Sequence, residues 1–525
     1  MNKVLTIVDT AGIQDYVFRT NKLRQIIGAS TLVNYATDEW VKSALDPAQN
    51  KVFQELVYSG GGNAVLIFND IEKAKKFASA LSKIVIEKAP GLRLVVSHKE
   101  FDDKNDILGG ENGIISQTFK QLDKLKAEGD AWTYETSLGV TEECLFSAQA
   151  VVLESLGKGN DTPLSCEALA KQTVGSDQLK EIRRVVDGNA YTFYYAEDMD
   201  HITGKTSDKN LIGIVHIDGN DIGTKIKGLV NKYMEPGQNE QLLNVLRGFS
   251  DSIKIASKKT FEGLLDCLIL NLHGTSLLLS GGDEINLYEK NGNLILPIRP
   301  IVLGGDDMTL ICDGSLALDL TVRYLKLAQK QSLSDGSKYN CKAGVCIVKK
   351  NFPVYPAYQL SNQLASSAKK FRQELKQELE EYYKNVSPSQ AKIKAQDLPT
   401  IDWQICLNGI KGSLSEIRQT EYMVENGELL MRPLFIPDLN EGMNMPDLDS
   451  SWRTWPHYLE LFEEINRLPR NKAKELRDYL RLSVAHIVNY LMFNQINLRY
   501  GIGWHNNRCP YFDVLEIQDI YKELA

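Results

Sequence analysis

The sequence predicts an α+β chain: two ferredoxin-like β-α-β-β-α-β units followed by a helical C-terminal domain. Three observations carry this. A strand ending in Asp, a helix, a glycine-turn hairpin, a second helix and a closing strand occur twice in the same order. The two turns align without a gap, with Gly60-Gly61-Gly62-Asn63 over Gly304-Gly305-Asp306-Asp307 and apolar strand residues on both sides. Past residue 400 the hydrophobic pattern is mostly helical. The expected divisions are 1–140 for the first unit, 141–210 for a linker region, 211–395 for the second unit and 396–525 for the helical domain.

The first unit opens with the strand Val4–Val8, which runs into Asp9. Helix follows from about Ile13 to Leu45, then the strands Val52–Tyr58 and Ala64–Phe68 around the glycine turn. The helix Ile71–Glu87 and the strand Leu92–Ser97 complete it. In the second unit the strand Ile212–Ile217 ends at Asp218, and a helix spans roughly Asn239–Leu265. The strand Leu294–Leu303 enters Gly304-Gly305-Asp306-Asp307, and Met308–Cys312 leads out. The helix Leu316–Gln331, the strand Lys342–Val348 and a helical extension Ser361–Tyr383 close it. The stretch Thr162–Asn210, rich in Gly, Ser, Thr, Asp and Lys, reads as loop. In the last domain, Asn471–Phe493 is the strongest helical stretch, after a Pro- and Asn-rich break over Pro433–Pro456.

Composition narrows the function classes. The 525 residues carry 60 Lys and Arg against 68 Asp and Glu, a net charge of −8. That weighs against a chain whose main task is to coat free nucleic acid, while leaving room for a local basic groove. The 8 cysteines are scattered with no Cys-x-x-Cys, as expected of reduced thiols in a cytosolic protein. Cys144 and Cys166 lack nearby His or Cys partners, so no zinc site is expected. The N-terminal strand is too short and too soon polar for a signal peptide, and no apolar run is long enough to span a membrane. The expectation is a soluble cytoplasmic protein.

The second hairpin carries the chemistry. Nucleotidyl transfer uses two metal ions about 4 Å apart, one at the attacking hydroxyl and one on the triphosphate. Magnesium takes hard oxygen ligands, commonly a few carboxylates with phosphate and water. In a ferredoxin-like unit the first strand neighbours the hairpin between strands two and three. Asp218 is therefore expected beside Asp306 and Asp307, the three forming a site for Mg2+ or Mn2+. Gly304 and Gly305 supply positive φ in a two-residue turn and let a nucleotide approach the backbone. Structurally, the same tetrapeptide is also compatible with a plain glycine turn bearing two solvated aspartates. Asp221 is expected to cap the following helix, with a role behind the metal ligands as the alternative. Lys369 and Lys370 can reach a triphosphate or lie on a solvated helix face. Gly281-Gly282-Asp283-Glu284 matches a diguanylate-cyclase signature, but the repeat places the functional turn at 304, so 281–284 is read as an inserted loop. The first unit retains only Asp9 beside Gly60, Gly61 and Gly62, and its turn can cradle an acceptor nucleotide but not two metals.

Five segments, Gly12–Phe18, His216–Gly223, Ile301–Gly314, Ala343–Val348 and Leu364–Lys370, resemble the palm domains of the large subunit of type III CRISPR effector complexes. The resemblance implies two palms head to head around two ATP molecules, with cyclic oligoadenylate as an antiviral signalling product. It also implies metal binding by Asp218, Asp306 and Asp307, a triphosphate contact at Lys369, and partners of the CRISPR or another defence system, with RNA reached through them. No His-Asp dipeptide of an HD nuclease occurs, and the zinc-binding cysteine set of the family is incomplete. The expected protein is thus a compact, non-nuclease relative. Two other functions fit the same residues: a non-catalytic scaffold that binds nucleotide or RNA, and a cyclase making a cyclic dinucleotide or mononucleotide.

Overall fold

The computed structural model describes residues 2–45, 54–129, 139–152, 162–177, 181–186, 189–203, 210–290, 292–384, 398–437, 446 and 448–525. Its two large sheets are numbered here β1–β10 in chain order. In the first, β1 (Asn2–Ala11), β2 (Gln54–Gly60), β3 (Asn63–Phe68) and β4 (Arg93–Asp102) stand in the order β2-β3-β1-β4, all antiparallel. Residues Val52 and Phe53 of the expected strand lie outside the described residues. In β1 the side chains of Val4 and Val8 join one core while Leu5 and Ile7 join another, the period-two alternation of a sheet covered on both faces. The helix Ile71–Lys88 covers one face through Ala74, Phe77, Leu81 and Val85, with Asp70 accepting from the Glu72 N–H as its N-cap. The helix Ile114–Gly129 covers the other.

The second sheet has six strands: β5 (Leu211–Gly219), β6 (Ile298–Gly304), β7 (Asp307–Asp313), β8 (Cys341–Lys349), β9 (Thr400–Cys406) and β10 (Leu434–Phe435). They lie in the order β6-β7-β5-β8-β9-β10. The first four repeat the order of the first sheet, and β9 adds in parallel to β8 after the long helix Val354–Lys384. That helix packs so tightly that a Cβ on Gly344 would lie 2.0 Å from the Ser361 carbonyl oxygen. The units share a core. Phe18 stacks on Tyr358 at 4.1 Å, and Leu242 and Leu246 of the helix Asn239–Leu270 pack with Leu5 and Ile7.

Several expectations change. The stretch 162–210 is not loop: it holds the helix Cys166–Asp177 and the strands Glu181–Val186 and Asn189–Tyr195 in its described residues. Its helix packs on Leu23–Asn34 through a glycine contact, since a Cβ on Gly28 would lie 1.7 Å from the Lys171 carbonyl oxygen. The expected strand Leu294–Leu303 divides at Pro297, which has no N–H for a ladder. Asn293–Leu296 pairs with Asn189–Tyr195, and only β6 joins the second sheet. The helix expected over 471–493 is two, Arg470–Tyr479 and Val484–Phe493. Residues 438–445 and 447 of the Pro- and Asn-rich break lie outside the described residues. A buried network ties the C-terminal helices to β9. The Arg432 guanidinium, 0% exposed, bonds Asp513 at 2.8 Å and Glu516 at 2.9 Å and lies over the Trp403 and Tyr422 rings. All 8 cysteines are free thiols. Among the described residues, no helix is long and apolar enough to cross a membrane.

Candidate active site

The two hairpins are built alike. In each, the residue before the turn pairs with the residue after it, Gly60 with Asn63 and Gly304 with Asp307. Each incoming strand is irregular at the same place, between Leu56 and Tyr58 and between Pro300 and Val302. Gly304 therefore ends a strand, and the turn proper is Gly305-Asp306. Only Gly305 takes positive φ there, +64°, whereas Gly61 and Gly62 both do in the first turn. The tips meet: a Cβ on Gly304 would lie 3.5 Å from the Gly61 Cα.

Register brings the acidic residues of the second unit together. Asp218 of β5 lies directly opposite Asp307 on one side and Lys342 of β8 on the other. The Gly219 N–H donates to the Asp306 carbonyl at 3.1 Å, tying the end of β5 to the turn. Loss of bulk water, followed by the charge of Asp218, raises the carboxyl of Asp306 above its ordinary range. The same two causes, with Asp306 added, push Asp307 up to about 7, and Lys342 opposes both shifts. Asp306 is half-buried but Asp307 is exposed, so solvent screens much of this effect on Asp307. The Lys342 ammonium contacts Asp218 Oδ2 and lies 3.5 Å from the Gly219 carbonyl oxygen.

Neighbouring side chains frame this group. Asn220 is 2% exposed, and its side-chain oxygen and nitrogen both lack a hydrogen-bond partner. Its backbone N–H donates to the Asn340 carbonyl at 2.7 Å. Asp221 does occupy the N-cap position of the helix Ile222–Val230, but at φ 60° its side chain makes no cap bond. Instead it accepts two bonds of 2.7 Å from Arg372, whose guanidinium holds the carboxyl below its usual range. Burial pushes His216 down to about 4, so its ring, 3.5 Å from the Thr309 hydroxyl, is neutral at pH 7.

The first turn is electrically quiet by comparison. Asp9, opposite Asn63, is bonded to Lys126 at 2.6 Å. Two cavities flank the paired tips. One of about 150 Å³ is largely apolar, with Tyr58, Ile222, Ile226, Phe249, Gly305 and Asp306 in its wall. The other, of about 590 Å³, is bordered by Gly61, Gly304, Gly305, Arg183, Lys254 and Lys258.

Of the residues singled out by sequence, Asp218, Asp306, Asp307, Gly304, Gly305, Gly60, Gly61 and Gly62 gather around these tips. Lys369 is exposed, one turn before Arg372, and Lys370 borders a separate polar groove with Gln14, Gln363 and Ser366. Gly281–Glu284 forms an exposed turn at a small three-stranded sheet, where the Ser280 N–H donates to the Glu523 carbonyl. Among the described residues no three His, Cys, Asp or Glu side chains stand ready as a metal cluster. The sequence reading missed Lys342, Asn220, Lys254 and Lys258. Lys342 had a usable signal, a single charge opening an otherwise apolar strand beside that of Asp218. The two lysines of the helix Asn239–Leu270 had none, because only tertiary packing brings them to the tips.

No family model and no curated protein matches the chain. Solved structures do. The fold is similar to that of a Csm1–Csm4 cassette. In a crystal structure of that cassette with pppApApA, the match covers 99% of this chain and 69% of the other at 15% identity, with a TM-score of 0.51. Cassette structures with cA4 and with AMPPNP match 70% of this chain at 16% and 15% identity, with TM-scores of 0.40 and 0.41. The match to each of those two covers 53% of the longer chain, about half its length. A further match is to the Csm1–Csm4 subcomplex of a type III-A CRISPR–Csm interference complex.

Proposed function

We propose that the two repeated units are ferredoxin-like palms and that the second is the active site of a nucleotidyltransferase. It would join ATP-derived adenylates into cyclic oligoadenylate for antiviral signalling. The observation that carries this is charge: strand register and the turn bring Asp218, Asp306 and Asp307 to one end of the sheet, Asp218 and Asp306 both raise Asp307, and Lys342 contacts Asp218. Such crowding is unfavourable without a cation. The donors are hard oxygens suited to Mg2+ or Mn2+, and the orphaned Asn220 amide beside them fits a site that lacks a polar occupant. When bound, the metal would activate a ribose hydroxyl and offset charge on the triphosphate.

The chain's own part is positioning. Asp218, Asp306 and Asp307 would hold the cations. The glycine tips would let two nucleotides approach one another, donor at Gly304-Gly305 and acceptor at Gly60-Gly61-Gly62. The 3′-hydroxyl of one would attack the α-phosphate of the other, releasing pyrophosphate. Lys254 and Lys258, and Lys369 from the long helix, would offset triphosphate charge. Arg372 would keep Asp221 away from the cations, and neutral His216 would support β5 against β7. The pppApApA of the similar crystal structure suggests the product class. Assembly with a Csm4-like partner, and with RNA through it, belongs to the same reading.

The Lys342–Asp218 pair favours one alternative, a nucleotide- or RNA-binding scaffold without turnover. Purified protein would be given Mg2+ or Mn2+ and each labelled NTP, with and without candidate partners and RNA, beside D306A/D307A. Cyclic oligoadenylate from the wild type alone is the expected result. A cyclic dinucleotide or mononucleotide would replace the product assignment, and ATP binding without product under every condition would leave the scaffold.

A further inference from the structure

We propose that Lys342 is a built-in rival of the catalytic cation: a divalent ion enters only as Asp218 gives up its contact with this ammonium. The inference deepens the cation reading above and rests on it. Asp218 stands between two strands with opposite offers, Asp307 on β7 and Lys342 on β8. Lys342 is 5% exposed, so its ammonium is withdrawn from water, and it is satisfied by Asp218 Oδ2 and the Gly219 carbonyl. Asp218 is one-third exposed and faces both states, the internal pair and an incoming ion.

Two positive charges at contact distance from one carboxylate oxygen repel one another, and poorly screened charges repel more. The divalent ion, with three carboxylates to gain, displaces the ammonium from Asp218. The ammonium keeps the Gly219 carbonyl as a partner. The lysine is a positioning residue: it holds β5 and β8 together and sets the cation concentration at which the site is filled. The first unit keeps a comparable pair without a second aspartate across the strand: Asp9 is bound to Lys126 and lies opposite a neutral Asn63.

The test reads metal binding, not turnover. Mn2+ alone would be titrated into the full chain, and free Mn2+ followed by electron paramagnetic resonance. Lys342→Met should tighten binding roughly tenfold or more, and Lys342→Arg should stay within about threefold of the wild type. Lys342→Gln, which can still hydrogen-bond Asp218, serves if the Met variant does not fold, with the same expected direction. Unchanged or weaker Mn2+ binding in both neutral variants overturns the proposal while leaving the cation site standing, provided D306A/D307A binds more weakly than wild type. Equal binding in wild type and D306A/D307A overturns the cation site and the proposal together.

Discussion

The hairpins at Gly60–Asn63 and Gly304–Asp307 share strand order, pairing, bulge position and a common meeting point, yet differ in charge. One has a single carboxylate opposite an amide and neutralised by Lys126. The other has three carboxylates, one of them in contact with the Lys342 ammonium. Backbone and electrostatics are thus separable in this molecule: one turn geometry carries a single paired carboxylate in one unit and an acidic group in the other, and two aspartates in place of Gly62 and Asn63 make the difference. Glycine use follows the same division. The first turn takes two positive-φ residues and the second only one, which leaves room for Asp306 in an ordinary conformation.

The largest expected effect breaks the comparison at the acidic turn. Asp218→Asn should lower product formation by roughly 100-fold or more, while Asn63→Ala in the first turn should change it by less than about threefold; initial rates with ATP and Mn2+ check both. Next is pH. The native chain holds Asp307 at about 7 against an ordinary 3.8, so between those values it binds a proton that the unfolded chain has released. That contribution to stability is full below the lower value and lost as pH rises through the upper one. A bound divalent ion reverses the preference. The Mg2+-induced rise in Tm should therefore grow from about pH 5.5 to about pH 8, and Asp307→Asn should flatten the dependence.

Smaller effects sharpen the contrast. In Gly62→Ala the new Cβ would sit 2.6 Å from Ile13 Cδ1 at φ +88°, whereas in Gly305→Ala it meets nothing within 4 Å at φ +64°. Chemical denaturation should give a loss of about 2 kcal/mol for the first and about 1 kcal/mol for the second. Lys126→Met should cost about 1 kcal/mol by the same measurement and confer no Mn2+ binding on the first turn, whose glycines are followed by Asn63 rather than an aspartate.

The repeat was legible because each unit carries a strand ending in Asp and a glycine turn flanked by β-forming residues. The ferredoxin-like strand order places Asp218 beside the Asp306–Asp307 turn, and in the sheet Asp218 lies opposite Asp307. What failed lay between the units. Composition suggested loop over 162–210, but the close approach of Gly28 and Gly175 builds a helix pair there, and the strand Asn189–Tyr195, paired locally with Glu181–Val186, is held on its other edge by Asn293–Leu296, about a hundred residues later. The helix packing and the distant edge leave no local mark. The capping role expected of Asp221 failed for the same reason: Arg372, far along the chain, supplies a stronger partner than a backbone N–H.

The most direct measurement is the anomalous scattering of Mn2+ in crystals of the full chain grown with a non-hydrolysable ATP analogue. The account predicts manganese within about 2.0–2.6 Å of oxygens from Asp218 and the Asp306–Asp307 turn, and none beside Asp9. Nucleotide bound with no manganese at the second turn, or manganese shared equally with the first, would contradict it.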